Sequence, residues 1–351
     1  MLSFFLSRLL YGKFAYVRID NTKERGEKMK KLLVMVMLLS LVLGSVFAQG
    51  GAEASADTYP SGPVSVIVPY SAGGGTDLVA RALVDAAKAN FPKNIAVENR
   101  TGGGGAVGMS YGANAKADGS VITMITVELV TLPHTGTGAG LYYDQFKPIM
   151  MVNSAYSAIT VQKDSPYNTL NEFLEAAKTK TMRVGNSGVG AIWHLAAAGL
   201  AKTAQVNFNH IPFDGAAPAI TSLLGGHIDA VTVSYAEVAS QVDAGNLKVL
   251  AVLAPERIAA TPNIPTAKEL GYDVAIGTWR GLGVPKATPQ PIADKIEKIF
   301  TEASKSDAFV KFMNSSNNII DAMDSTSYGA KLAKDNDMFK ALIEELGLKQ
   351  Q

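Results

Sequence analysis

The chain has 351 residues, 47% of them hydrophobic and 18% charged, with a formal net charge of +1. That is globular composition, long enough for two lobes, and it lacks the basic excess of a nucleic-acid binder. Cysteine is absent, which excludes disulfides, thiolate chemistry and a lipid-anchor cysteine.

The first informative segment is Met29-Lys30-Lys31 followed by LLVMVMLLSLVLGSVFA. A positive start, an apolar stretch and small residues at Val46 and Ala48 form a signal-peptide pattern, with cleavage expected after Ala48. The alternative is an uncleaved anchor, although the apolar run falls short of the ~20 residues of a spanning helix. Residues 1–28 fit a signal peptide poorly, so Met29 is the expected start; the alternative is an unusually long n-region. Residues 1–48 carry eight Lys+Arg and three Asp+Glu; without them the chain has 24 basic and 28 acidic residues, net −4. The exported chain is expected in the periplasm, free of nucleic acid, with 49–58 as a flexible leader.

From Tyr59 onward strands and helices alternate. Strand 64–68 leads into helix 76–90, whose Leu78, Val79, Ala82, Leu83 and Ala86 share one face. Strand 95–98 precedes NRTGGGGAVG and a short helix ending near Ala115, then strand 121–126. A longer apolar run, 150–161, precedes a helix at 170–178. A second alternating unit has strands 182–185, 206–211, 228–233 and 247–253, and helices 191–202, 216–224 and 235–244. ATPNIPTAKELGY reads as a loop with a short helix and TWRGLGVP (278–285) as an extended run. Helices near 289–304, 307–315 and 325–346 close the chain. The alternation predicts an α/β fold, a mostly parallel sheet with helices on both faces. Runs 150–161 and 247–285 are candidate crossings between two lobes, one formed by 59–158 and 254–351, the other by 159–253.

Ligands in such sheets bind beyond the C-terminal ends of strands. Two glycine-bearing strand-to-helix turns stand there. The first is Tyr70-Ser71-Ala72-Gly73-Gly74-Gly75-Thr76-Asp77. A helix N-terminus has unpaired N–H groups and a partial positive charge, and glycines let a ligand approach that backbone. The turn therefore reads as an anion cradle, with Ser71 and Thr76 as hydroxyl donors. Asp77 is either a helix cap or a ligand contact. The lysine of a P-loop and the acidic residue of a dinucleotide fingerprint are missing, so neither nucleotide nor other cofactor is expected.

The second turn contains Gly188-Val189-Gly190-Ala191, with His194 one helical turn on, either facing the ligand or bracing the loop. Trp193 could wall the cleft or fill the core. Glu128 sits where a third cleft loop would lie, unless it is a solvated loop acid. Asp214 reads as a cap or a contact. Trp279 is a candidate aromatic wall and Arg280 a candidate cation for ligand charge. The glycine run 102–105 reads as an entry to a helix. Histidines 134, 194, 210 and 227 lack metal-ligand spacing, so no metal is expected. No nucleophile elbow or carboxylate pair stands out, so no catalytic residue is assigned.

VIVPYSAGGGTDLVAR, VENRTGGGGAVG, GNSGVGAIWHLA, HIPFDGAAPAITSLLGGHIDA, NIPTAKELGY and TWRGLGVPKATP occur in this order. In this the chain resembles the tripartite tricarboxylate transporter solute-binding proteins, or Bug-type receptors, over about 59–348. The resemblance implies a type II periplasmic-binding-protein fold, two α/β lobes closing on a small organic carboxylate such as citrate. It also implies no enzymatic activity, a monomer, and delivery to a membrane permease with one large and one small subunit. Ligand carboxylates in the family are held by backbone N–H groups and bridging waters of two turns, which map onto 71–77 and 188–191. The family usually carries Ser or Thr where Ala191 stands, and often Asn or Ser at Val189, so one side-chain contact is lost here. Phe213 replaces a common tyrosine. The TWRG form is similar to the tricarboxylate-type branch. A secreted hydrolase or lyase on the same scaffold, and a ligand sensor for a membrane kinase, remain alternative readings.

Overall fold

The computed structural model describes residues 58–138, 140–259 and 261–348. The expected signal segment, the start at Met29 and residues 49–57 of the expected leader lie outside them.

Strands β1 (Val64–Val68), β2 (Ile95–Asn99) and β3 (Val121–Thr126) begin the fold, with helices α1 (Gly75–Ala87) and α2 (Ala106–Ala113) between them. The short α3 (Leu132–Thr135) follows, and then β4 (Phe146–Gln162), which runs for 17 residues. The second unit is α4 (Leu170–Ala177), β5 (Met182–Asn186), α5 (Ile192–Ala204), β6 (Phe208–Pro212), α6 (Ala216–Leu224), β7 (Ala230–Ser234), α7 (Tyr235–Asp243) and β8 (Leu247–Leu253). The chain returns through β9 (Gly277–Pro285), α8 (Gln290–Ser304), α9 (Asp307–Ser315), β10 (Ile319–Met323) and α10 (Ser325–Leu346).

The strands join in the order β2-β1-β3-β9-β4-β7-β5-β6, with β8 and β10 also on β4. Pairing is parallel among β1, β2 and β3 and among β5, β6 and β7. Both β9 and β4 run antiparallel to their neighbours. The sheet is thus mixed rather than mostly parallel, because the crossing strands enter against the direction of the βαβ units. β4 serves two half-sheets: residues 146–156 pair with β9, and from Ser157 onward it pairs with β7 and β8. Each half then has one strand order: second, first, third, crossing strand, fourth.

The apolar face of α1 is rotated from the one expected: Val79 and Leu83 are buried, but Leu78 is exposed and Ala82 and Ala86 are half-buried. Val79, Ala80, Leu83, Val84 and Ala87 are the buried face of α1, which packs against α8 and α9. Ile292, Ile296, Ile299, Phe300 and Ala303 do the same for α8. All but the first residue of β3 are buried, as a strand covered on both faces requires. Two further expectations fail. Residues 261–272 form turns and no helix; Thr266 makes a bridge to Val252 and exchanges bonds with Glu269, which fixes the segment without helical backbone. β10 was not anticipated, because its short, largely exposed IIDAM lacks a clear alternation.

Helix α2 holds the end of β1 in place. A Cβ on Gly108 would stand 2.6 Å from the Arg100 carbonyl oxygen and 2.7 Å from the Pro69 Cα, both backbone atoms. Gly108→Ala should therefore destabilise the protein by about 1–3 kcal/mol through overpacking. Chemical denaturation checks this; an unchanged midpoint would show that the helix can shift without cost.

Candidate functional site

The turn after β1 is fastened from within. Asp77 is 1% exposed and sits in the first turn of α1. Its carboxylate accepts from Gly73 N at 2.9 Å, Arg81 Nε at 2.9 Å and Asn99 Nδ2 at 2.8 Å. Burial alone would raise its pKa; the bonds from Arg81, Gly73 and Asn99 overcome that and hold it below the ordinary value. Asp77 is thus turned into the loop with protein partners on both oxygens, and the N-cap position belongs to Gly74. Ser71 donates both N (3.0 Å) and Oγ (2.8 Å) to the Asp214 carbonyl, so Asp214 meets the turn through its backbone.

The turn after β5 is braced in a similar way. Gly188 N donates to Asn186 Oδ1 and Gly190 N to His194 Nδ1 at 3.1 Å. His194 braces the loop and stacks edge-on against His210, 4.6 Å away. Burial, then the neighbouring His210, lowers its pKa to about 4, so it is neutral and Nδ1 can accept. Ala191 is buried and Val189 is 40% exposed.

Glu128 is 2% exposed and is no solvated loop acid. One oxygen accepts from Thr126 Oγ1; the other accepts from Ile192 N, the start of α5, at 3.0 Å. Glu237 mirrors it from the other half. One oxygen accepts from Ser234 N and Oγ in a capping box. The other accepts from Gly75 N, the start of α1, at 3.1 Å and lies 3.4 Å from Arg280 Nη2. Each carboxylate therefore satisfies a helix N-terminus in the opposite half-sheet. The sequence reading assigned the N–H groups of both turns to a ligand; Ser71, Gly73, Gly75, Gly188, Gly190 and Ala191 instead donate to protein acceptors.

Between these groups lies a cavity of about 20 Å³, lined by Tyr70, Gly74, Gly75, Thr76, Ser187 and Arg280 among others. That is room for about one water. Tyr70 donates to the Gly104 carbonyl at 3.2 Å and pairs with Thr126; burial, then the Glu128 charge, pushes its phenol well above its usual pKa. Arg280 is 2% exposed, with Nε donating to Thr76 Oγ1 at 3.0 Å. Trp193 lines this cavity. Trp279 does not: neighbouring strand residues face opposite ways, so Thr278 and Arg280 look into the cavity and Trp279 looks out. Its indole donates to Asp335 at 2.8 Å and packs edge-on against Tyr328.

A wider recess of about 540 Å³ is lined by Ser71, Gly103, Gly104, Gly188, Val189 and Asp214 among others. The glycine run does more here than open α2. Gly104 (φ 65°) and Gly188 (φ 127°) bring two backbones together; a Cβ on Gly188 would stand 2.8 Å from the Gly104 Cα. Glu237, the glycine run, Thr126, Ser187 and Thr278 line the site and were not singled out for it from the sequence. The S-x-x-E spacing of Ser234 and Glu237 was a readable capping signal, but its reach to α1 was not. No group of His, Asp or Glu that could hold a metal occurs among the described residues.

Two like-ordered half-sheets on a shared strand, with helix N-termini converging on one cleft, define a solute-binding protein of the periplasmic type. The family model described as "Tripartite tricarboxylate transporter family receptor" matches residues 79–348, and the chain belongs to that family. It is 42% identical to the TctC solute-binding protein of Polaromonas in its crystal structure (TM-score 0.60), over 82% of this chain and all of that one. It is 30% identical to the periplasmic binding protein BugD (TM-score 0.79), over 84% of this chain and all of that one. A UPF0065 protein encoded in the gbd 5′ region of Cupriavidus necator is 31% identical over 85% of this chain and 91% of that protein. The chain is thus a solute-binding receptor, not an enzyme. No helix among the described residues is long and apolar enough to cross a membrane.

The His194 brace makes a pH prediction. An unfolded histidine takes up its proton near pH 6.5, whereas folded His194 does so only near pH 4. Its contribution to stability is therefore complete above about pH 6.5 and is lost as pH falls towards 4. His194→Asn keeps an acceptor but cannot titrate, so its melting temperature should fall less steeply over that window. Parallel curves for the two proteins would count against the brace.

Proposed function

We propose that the protein is an exported receptor that captures a small organic carboxylate, with two or three carboxyl groups, between its half-sheets. On this reading the halves act as lobes, one built from 59–158 and 254–351 and the other from 159–253. They close on the ligand and present it to a membrane permease of one large and one small subunit. The receptor works as a monomer in the periplasm after cleavage at Ala48. One observation carries the reading: the N-termini of α1 and α5, from opposite halves, converge on a cavity that also holds the buried Arg280 guanidinium. Helix N-termini and a guanidinium are complementary to carboxylate oxygens. Bug-type membership supports the same ligand class, and the turns 70–77 and 188–191, with Glu128 and Asp214, bound the cleft in which it would lie. His194 then serves the site by fixing the second turn.

Calorimetric titration of the purified protein with citrate, malate, adipate and glutamate tests the proposal. Binding of at least one di- or tricarboxylate is expected; heat from none of them would overturn it. Gly75→Val is the matching site variant, because a Cβ there would stand 2.7 Å from Glu237 Oε1 and 2.8 Å from Arg280 Nη2. It should weaken binding at least about 10-fold, the loss of one charge-assisted contact set. Unchanged affinity would move the site elsewhere.

A further inference from the structure

Two polar atoms in the small cavity are buried and have no hydrogen-bond partner among the described residues: Arg280 Nη1 and Ser187 Oγ. Both side chains belong to residues no more than 4% exposed. A guanidinium has five N–H donors and stays charged, so a buried arm without an acceptor is costly. The remaining arms are already engaged, Nε with Thr76 and Nη2 with Glu237. The Nη1 arm lacks an acceptor, although the Glu237 carboxylate already lies 3.4 Å from Nη2.

Glu237 supplies the other half of the observation. Its Oε1 already rests on the two groups an anion would seek, Gly75 N–H and Arg280, while its Oε2 is secured to Ser234. Its side chain is 5% exposed, so the contact is a desolvated ion pair rather than a surface one. Only one of its two oxygens needs to move for the cation to become available.

We infer that Arg280 is the residue that sets ligand charge, and that Glu237 is an internal surrogate which the ligand displaces. This rests on the carboxylate-receptor reading. A ligand carboxylate takes Arg280 and Gly75 N–H, with Ser187 Oγ as a further donor, and Glu237 Oε1 is released while Oε2 keeps capping α7. Glu237 keeps its charge on the Ser234 side, so the ligand adds a second carboxylate beside the guanidinium, and what Glu237 gives up are the N–H donors of Gly75 and Arg280. The rest of the ligand extends toward the recess beside Gly104 and Gly188, which shares the two turns with the cavity. The occupant of the cavity is an anionic group. A ligand ammonium would use the same pair in the opposite sense, with Glu237 as its acceptor.

The sign of one substitution separates these. Glu237→Gln keeps an acceptor for Ser234 but removes the competing charge, and should tighten binding of malate, citrate or adipate by about 5–10-fold, the loss of a surrogate that holds the competent state at a minor population. Arg280→Gln should weaken it by about 10–100-fold, one charge-assisted hydrogen-bond set, and Arg280→Lys should restore part of the loss. Titration calorimetry reads the affinities, and thermal melting confirms that each variant is folded. Weaker or unchanged diacid binding by a folded Glu237→Gln protein overturns the exchange while leaving the receptor reading intact. A wild-type protein and a Glu237→Gln protein that both bind no organic acid overturn the two together.

Discussion

The N-terminus of a helix is an electrostatic demand: several N–H groups point outward, and the aligned peptide dipoles place a partial positive charge there. Two such ends face the cleft of this protein, and each is met by a carboxylate from across it. Glu128 reaches from the turn after β3 to the start of α5; Glu237 reaches from the start of α7 to the start of α1. Each acid keeps one oxygen on its own side and spends the other on the opposite side. Two buried acids near one cavity would repel each other and lose hydration. The N–H donors and Arg280 make the arrangement tolerable, and they also set the register in which the half-sheets meet.

The common strand order of the halves makes the cleft nearly symmetric in backbone and asymmetric in chemistry. On the first side, α1 has Arg280 and Thr76 beneath its N-terminus. On the second side, the turn before α5 is held by a neutral histidine, and its residues are Gly, Val, Gly and Ala. A negative charge therefore finds a full countercharge on one side only. On the proposed reading, side-chain selectivity rests mainly on Arg280, while the second turn offers Ser187 Oγ, backbone and shape.

Much of the fold was legible because it depends on local periodicity. β1, β3, β8, α6, α9 and α10 fall where the sequence pattern places them, since the strands are short continuous apolar runs and the helices repeat apolar residues at helical spacing. The two glycine turns were legible as turns for the same reason. Their hydrogen-bonding was not. The partners of Gly75 and Ile192 lie 162 and 64 positions away, and no spacing rule links them. Glu128 was visible as an acid near the cleft, but a solvated and a capping carboxylate read alike in one dimension. Trp279 shows a different failure: once Arg280 is assigned to the cleft, strand alternation alone turns the indole away from it. The glycine run 102–105 read as a helix entry because its approach to Gly188 depends on the other half of the molecule.

β4 passes through both half-sheets as one unbroken strand, and its change of partners is abrupt. Tyr156 is paired with Gly277 of β9, and the next residue, Ser157, is paired with Ser234 of β7 and Leu253 of β8. Two covalently continuous half-sheets cannot slide past each other along such a strand. They can turn about it, and the pairing irregularities at Pro148/Met150, Met151/Asn153 and Ile159/Thr160 flank the turning point on both sides. β4 is therefore a torsion bar clamped at its two ends. If the halves close as proposed, a small twist of this bar near residues 156–157 would be geared into a much larger travel at the cleft rim.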